Sequence, residues 1–174
     1  MVNTLPKTAR NPRHLSKATG DILKAIYTLQ GDAAAAAGGG GVSVALPSEI
    51  AARTGTSRAF VTKMLKMLKE QELVEYAPYR GVRLTPSGAR SATELSRHHR
   101  LLEYFLANTL GFSLEDAHTE AERLEHVISE QFEARLDIFL GRPQTCPHGA
   151  PIPAPDSIYS EVFLNTVDEK SSAQ

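Results

Sequence analysis

The sequence predicts a mostly α-helical protein with a small β-hairpin wing: an N-terminal winged helix-turn-helix unit followed by a second, α-helical unit. Three observations predict it. Two short helical patterns meet at Gly55, the second opening on Thr56-Ser57, which is the helix-turn-helix arrangement. Two strand-like runs follow, joined by Pro78-Tyr79-Arg80-Gly81, and a hairpin behind a helix-turn-helix makes a wing. Beyond them come helices of period 3.6 whose polar faces carry imidazoles and carboxylates beside apolar stripes.

The bulk composition fits this class. The chain has 174 residues, 41% hydrophobic and 22% charged, which suits one or two small globular domains. No apolar run is long enough to span a membrane, and the start shows no signal-peptide pattern, so a cytoplasmic protein without a membrane partner is expected. Cys146 is the only cysteine, which excludes intrachain disulfides and thiolate zinc clusters. Charge is segregated: residues 1–100 hold 15 Lys and Arg against 7 Asp and Glu, whereas residues 101–174 hold 4 against 13. A basic half joined to an acidic half suggests a polyanion-binding module attached to one that binds cations or a partner subunit.

In chain order, residues 1–15 read as a flexible basic arm carrying Lys7, Arg10 and Arg13. The winged-helix domain is expected over 16–88. Its first helix starts near Ser16, with Ile22, Ile26 and Leu29 in helical period, and Asp21 stands just before this stripe. The alanine- and glycine-rich run from Gly31 to Gly41 reads as a flexible connection. Val42-Ser43-Val44 is expected to be a short strand. Pro47 to Thr54 forms a helix with proline in its first turn, where a missing N–H does no harm. The next helix, capped by Thr56 or Ser57 and running to about Gln71, buries Val61, Met64, Leu65 and Leu68. Its outward face shows Arg58, Ala59, Thr62, Lys63 and Lys66, the mix of small, hydroxyl and basic groups that a major groove accepts. Leu73–Ala77 and Val82–Thr85 are the strands of the wing, with Arg80 at its tip.

A long helix, capped by Thr85 or Ser87, is expected to run to about Leu110 and stop at Gly111; on it His99 and Glu103 are four residues apart. The second domain is expected over 89–156. Ser113 and Asp116 form a capping box for a helix on which His118, Glu122, Glu125 and His126 fall at i, i+4, i+7 and i+8. One face then carries two imidazoles and two carboxylates beside the apolar stripe Ala117, Ala121, Leu124 and Ile128, and adjacent carboxylates repel unless a cation lies between them. A further helix covers Glu130 to Leu140. Residues 142–156 read as an extended loop, in which Cys146 and His148 are a weak candidate metal pair. Residues 157–174 form a tail without an assigned role.

The motifs Ser48-Glu49-Ile50-Ala51, Leu84-Thr85-Pro86-Ser87-Gly88, Arg97-His98-His99-Arg100-Leu101-Leu102-Glu103, Glu120-Ala121-Glu122-Arg123-Leu124-Glu125-His126 and Pro147-His148-Gly149-Ala150-Pro151-Ile152-Pro153 together resemble the metal-dependent repressors of the diphtheria toxin repressor and manganese transport regulator type. The resemblance runs from about Ser16 to Pro153. It implies a winged helix followed by a helical metal-binding and dimerisation domain, in a homodimer that binds a palindromic double-stranded DNA operator. A third, SH3-like domain present in some members is not expected within this length. By position, the resemblance implies a primary metal site of Asp21, Glu122, Glu125 and His126, and a second site of His99, Glu103 and His118. It implies DNA contacts from Ser57, Arg58, Ala59, Thr62, Lys63, Lys66 and the wing's Arg80.

Iron-selective members carry Met and Cys where this chain has Asp21 and Glu122, so carboxylates at both positions resemble the manganese-responsive branch. Hard oxygen ligands suit Mn(II). Fe(II) is the second expectation, with Zn(II), Co(II) or Cd(II) as substitutes in vitro. Lys24 stands where manganese-type members place a glutamate. An ammonium does not ligate a metal, so two separate mononuclear sites are expected, the second weaker and more exposed. The expected function is a metal-activated transcriptional regulator, a repressor of metal-uptake genes, without enzymatic activity. Two alternatives remain at this stage: a winged-helix regulator sensing a small organic ligand, and a small metallohydrolase. No glycine-rich substrate loop or separate general base supports the latter.

Overall fold

The computed structural model describes residues 15–36 and 44–155; the expected arm, save Leu15, and the expected tail 157–174 lie outside the described residues. Six helices and one hairpin follow in order: α1 (Lys17–Ala36), α2 (Pro47–Thr54), α3 (Arg58–Glu70), β1 (Val74–Ala77), β2 (Gly81–Leu84), α4 (Pro86–Asn108), α5 (Leu114–Leu124) and α6 (Glu130–Phe139).

The helix-turn-helix forms as its local chemistry dictates. Gly55 ends α2 in the left-handed conformation, φ +64, which costs a residue without Cβ little. Ser57 then caps α3, its hydroxyl accepting from Phe60 N at 3.1 Å. α3 turns Val61, Met64, Leu65 and Leu68 inward, where they join Ile22, Leu23, Ile26, Ile50 and Val82 in an apolar core. The wing strands pair antiparallel, Val74 opposite Leu84 and Ala77 opposite Gly81. Thr85 caps α4 by accepting from Gly88 N, and its own hydroxyl donates to Glu72 O. A side chain at Gly88 would put its Cβ 1.9 Å from Leu73 O, so glycine is what lets α4 start flush against the hairpin.

Two expectations about this unit need correction. The run from Gly31 to Ala36 is not a loop but the last turns of α1; alanine is the strongest helix former, and a helix already nucleated propagates through it. Residues 37–43 lie outside the described residues. Of the expected strand 42–44 only Val44 lies among the described residues, and it is not in a strand; the next residue, Ala45, makes an isolated antiparallel bridge to Val82 just before Pro47 starts α2.

In the second unit α4 is the spine, packing on α1, α5 and α6. Leu101, Leu102 and Leu106 meet Ala117, Ala121, Leu136, Cys146 and Ile152 in a smaller apolar cluster. Ser113 caps α5 and Ser129 caps α6, accepting from Asp116 N and Phe132 N. α5 ends at Leu124, so Glu125 is its C-cap and His126 lies in the turn beyond, which the projection of a continuous helix through His126 does not anticipate. Residues 142–155 are not simply extended either: Cys146 N donates to Ala150 O and Ile152 N to Gln144 O, closing a turn that Thr145 and Pro151 bridge.

Candidate metal centre and nucleic-acid interface

α1 lays Lys17, Asp21 and Lys24, one turn apart, against the turn that follows α5. His126 Nε2 lies 3.0 Å from Asp21 Oδ1 and 3.3 Å from Glu125 Oε1, so Asp21, Glu125 and His126 converge. The approach depends on Gly20, where a Cβ would stand 2.9 Å from the ring of His126. Burial pulls the Asp21 carboxyl up, yet the hydrogen bond from His126 and the charges of Lys17, His126 and Lys24 together hold it below its ordinary value. Glu125 is fully buried, and Lys24 Nζ donates to both of its oxygens, at 2.7 and 2.9 Å. Burial raises the Glu125 carboxyl as well, but His99 and Lys24 bring it below the usual range.

Glu122, the fourth expected primary ligand, does not join this group. It is half-exposed, and among acid-base contacts it faces His118 Nε2 at 3.6 Å. The difference is one of exposure: Glu122 lies on the half-exposed side of α5, whereas Glu125, its C-cap, and His126, in the turn beyond, are turned inward.

The second expected set does converge. His99 Nε2 lies 3.0 Å from Glu103 Oε1 and 3.1 Å from His118 Nδ1, and His118 Nδ1 lies 2.7 Å from the same carboxylate oxygen. Donor atoms about 2.0–2.2 Å from one shared cation stand roughly 3 Å apart, so this triangle has the size of a coordination face. Burial raises the Glu103 carboxyl, but hydrogen bonds from His99 and His118 and the nearby imidazoles hold it down at about 2. His99 is opposed in the same way: burial disfavours its imidazolium, and Glu103 and Glu125 outweigh that and raise its pKa. The Nδ1–H of His99 faces Glu125 Oε2 at 2.6 Å, the imidazole-carboxylate link that orients metal-binding histidines.

Two features differ from expectation. The clusters adjoin through the His99–Glu125 contact rather than standing apart. The second is also deep, His99 and Glu103 being buried and only His118 half-exposed. Sequence reasoning gave little weight to Cys146 and His148, yet the closed turn brings both to Glu103, with His148 Nδ1 3.4 Å from Glu103 Oε1. Their spacing, two residues apart, was the available signal; the turn that aims them was not visible.

The DNA-facing candidates lie where a helix-turn-helix presents them. Arg58, Ala59, Lys63 and Lys66 are exposed on α3, and Thr62 is half-buried with its hydroxyl donating to Arg58 O at 2.9 Å. Ser57 spends its hydroxyl on the α3 cap. Phe60, not among the expected contacts, is 39% exposed on the same helix. At the wing tip Tyr79, with φ +65, is fully exposed and Arg80 lies beside it. No helix among the described residues is long and apolar enough to cross a membrane.

Comparison with known proteins agrees with this geometry. Residues 14–82 match the model for the iron dependent repressor, N-terminal DNA binding domain, and residues 85–154 match its metal binding and dimerisation domain. The transcriptional regulator MntR of Escherichia coli O6:H1 is 44% identical over 102 residues, 59% of this chain and 62% of that protein. The iron-dependent repressor IdeR of Mycobacterium leprae is 38% identical over 108 residues, 62% of this chain and 47% of that protein. Among solved structures, a manganese-dependent transcriptional repressor in complex with manganese superposes with a TM-score of 0.68 at 40% identity, covering 79% of this chain and 59% of that one. The chain thus spans from about half to three-fifths of the length of these relatives. With both domain models matched in succession and the two ligand clusters beneath them, the chain belongs to the iron-dependent repressor family of metal-dependent transcriptional repressors.

Proposed function

We propose that the protein is a homodimeric, metal-activated DNA-binding regulator that represses metal-uptake genes, with Mn(II) its cognate ion and Fe(II) the runner-up. The observation that carries the reading is that Asp21, on a helix of the DNA-binding unit, meets Glu125 and His126, at the end of a helix of the second unit, in one cluster. A divalent cation bound there would supply the charge that ties these groups together. The donor set fits one: oxygens from Asp21 and Glu125 with an imidazole from His126 suit hard to borderline ions. The absence of thiolate from this set favours manganese over softer metals.

The chain's own residues set the rest. Asp21 fixes α1 against the turn after α5, so the group of ligands governs the angle between the two units. In a twofold dimer that angle sets the spacing of the two α3 helices, which must match half-sites about one helical turn, or a multiple of it, apart. Arg58, Ala59, Thr62 and Lys63 are assigned to base edges, and Lys66 and Arg80 to phosphates, Ser57 serving beside them through its cap. His99, Glu103 and His118 form a second cation site that stabilises the α4–α5 pair.

The test is a DNA-mobility assay with the chain's own upstream region, with and without Mn(II). Wild type is expected to shift DNA only with the ion. Asp21→Ala is expected to lose the dependence while keeping the fold, and His99→Ala to keep it with an ion affinity changed by less than about tenfold. Metal-independent binding by wild type would refute the reading. Retention of the dependence by Asp21→Ala would remove the inter-domain site.

A further inference from the structure

Beyond the two clusters, the structure holds a third convergence of an imidazole with carboxylates, where the middle of α4 faces the first turn of α6. Ligand atoms of Glu94, His98 and Glu130 all lie within 4.8 Å of one another. We propose that this is a separate divalent-cation site, with His98 Nε2, Glu94 and Glu130 as ligands and Glu133 closing its inner side.

An acidic cluster alone would say little; His98 is what points to a ligand. Its side chain is 6% exposed, and its Nδ1 lies 3.1 Å from the backbone carbonyl of Glu125. A carbonyl only accepts, so Nδ1 carries the proton there and Nε2 is left to the opposite side. On that side Nε2 has no hydrogen-bond partner. Its neighbours are carboxylate oxygens: Glu133 Oε2 at 2.8 Å, close but out of line for a hydrogen bond, and Glu130 Oε1 at 3.9 Å. A buried ring nitrogen set among anionic oxygens, with its other nitrogen anchored to a carbonyl, is the posture of a metal-binding histidine.

Arg97, the cation next in sequence to His98, points elsewhere. Arg97 directs Nε to Glu133 Oε1 at 2.5 Å, Nη2 to Asp137 at 3.0 Å and Nη1 to Pro153 O at 2.6 Å. Its fork faces the far side of Glu133 and leaves the oxygens beside His98 without it. A cavity of about 550 Å³, lined by Glu94, Glu130 and Glu133 together with Arg90, Arg97 and Arg142, adjoins the cluster. One imidazole with carboxylates suits Mn(II), Fe(II) or Zn(II). Because the His98 anchor is the carbonyl of Glu125, an ion here would brace the turn that presents Glu125 and His126, while sharing no side chain with that cluster.

The test uses the full chain and Mn(II) alone, and needs no DNA, so its failure is separate from failure of the regulatory reading. Equilibrium dialysis against saturating Mn(II) is expected to show His98→Lys holding one ion fewer per chain than wild type. The lysine supplies a fixed positive charge that keeps the pocket neutralised while removing the ligand. Glu130→Gln is expected to lose the same ion, and the double variant His98→Lys/His99→Ala to lose one more than either parent. Anomalous diffraction from wild-type crystals grown with Mn(II) is the second measurement, expected to show a peak at coordination distance from His98 Nε2, and it stands if a variant does not fold. Equal ion counts in wild type and a folded His98→Lys, or no peak at His98 beside peaks at the other clusters, would overturn the proposal and assign the pocket to a proton on Nε2.

Discussion

The two units are held together by different physics. In the first, side chains such as Leu65, Leu68, Ile26 and Val82 are fully buried and apolar, and its buried polar groups are few. The second has a smaller apolar cluster and buries Arg97, His98, His99, Glu103, Glu125, Glu130 and Glu133. A packed apolar core tolerates change that preserves volume, whereas a network of buried charges tolerates change only when whole partners go together. The exposed face of α3 thus sits on an apolar core, and the ligand clusters sit where stability depends on countercharge.

Mutations that probe this contrast differ in size. Arg97→Ala leaves Glu133 and Asp137 without their cation, and is expected to cost about 3–5 kcal/mol in urea unfolding, with the loss concentrated in amide exchange of α4 and α6. Leu65→Ala opens a cavity in the first unit at a cost of about 2–5 kcal/mol, but Leu65→Met is expected to cost under about 1.5 kcal/mol. A conservative swap at Arg97 that lost as little would erase the distinction.

The smallest effect is in pH. With chelator present, Glu103, Glu125 and Glu133 have folded pKa values below their ordinary 4.5. Their stabilisation is present above about 4.5 and is lost as pH falls through the folded values. His98 and His99 have folded values above 6.5, so theirs is complete below about 6.5 and is lost as pH rises through the folded values. For His98 the opposing effects are burial, which disfavours the charge, and Glu133 and Glu130, which outweigh it. Thermal melts are expected to show greatest stability of the second unit between about 4.5 and 6.5, with hydrogen exchange in α3 nearly flat over that window. Greater stability at pH 8 than at pH 6 would contradict the histidine assignments.

Much of the architecture was legible because it rests on local rules. The stripe Val61, Met64, Leu65 and Leu68, the caps at Ser57, Thr85 and Ser113, and the stop at Gly55 each have a residue-level cause, and each forms. The second cluster was legible for the same reason, since His99 and Glu103 are one helical turn apart. What escaped depends on where chains meet. Glu122 was grouped with Glu125 and His126 by family resemblance, and in this structure its side chain lies on the exposed side of α5, facing His118 instead of the Asp21 group. Gly20 carries no pattern in the sequence, yet its missing side chain admits His126. The turn that swings Cys146 and His148 onto Glu103 is made by backbone hydrogen bonds that composition does not announce, and His98 looked like a neighbour of His99 rather than the centre of its own cluster.

If the cluster of Asp21, Glu125 and His126 binds an ion as proposed, Lys24 gives that binding a reference level. Its ammonium already holds both oxygens of Glu125, so an ion seeking that carboxylate meets an occupied ligand and must displace or share with a charge the protein itself supplies. The concentration at which the ion prevails then depends on how firmly that lysine is held, and each 1.4 kcal/mol or so in its hold moves the threshold about tenfold. On the proposed function, this side chain on α1 would thereby act as a calibration weight: it would define how much metal counts as enough.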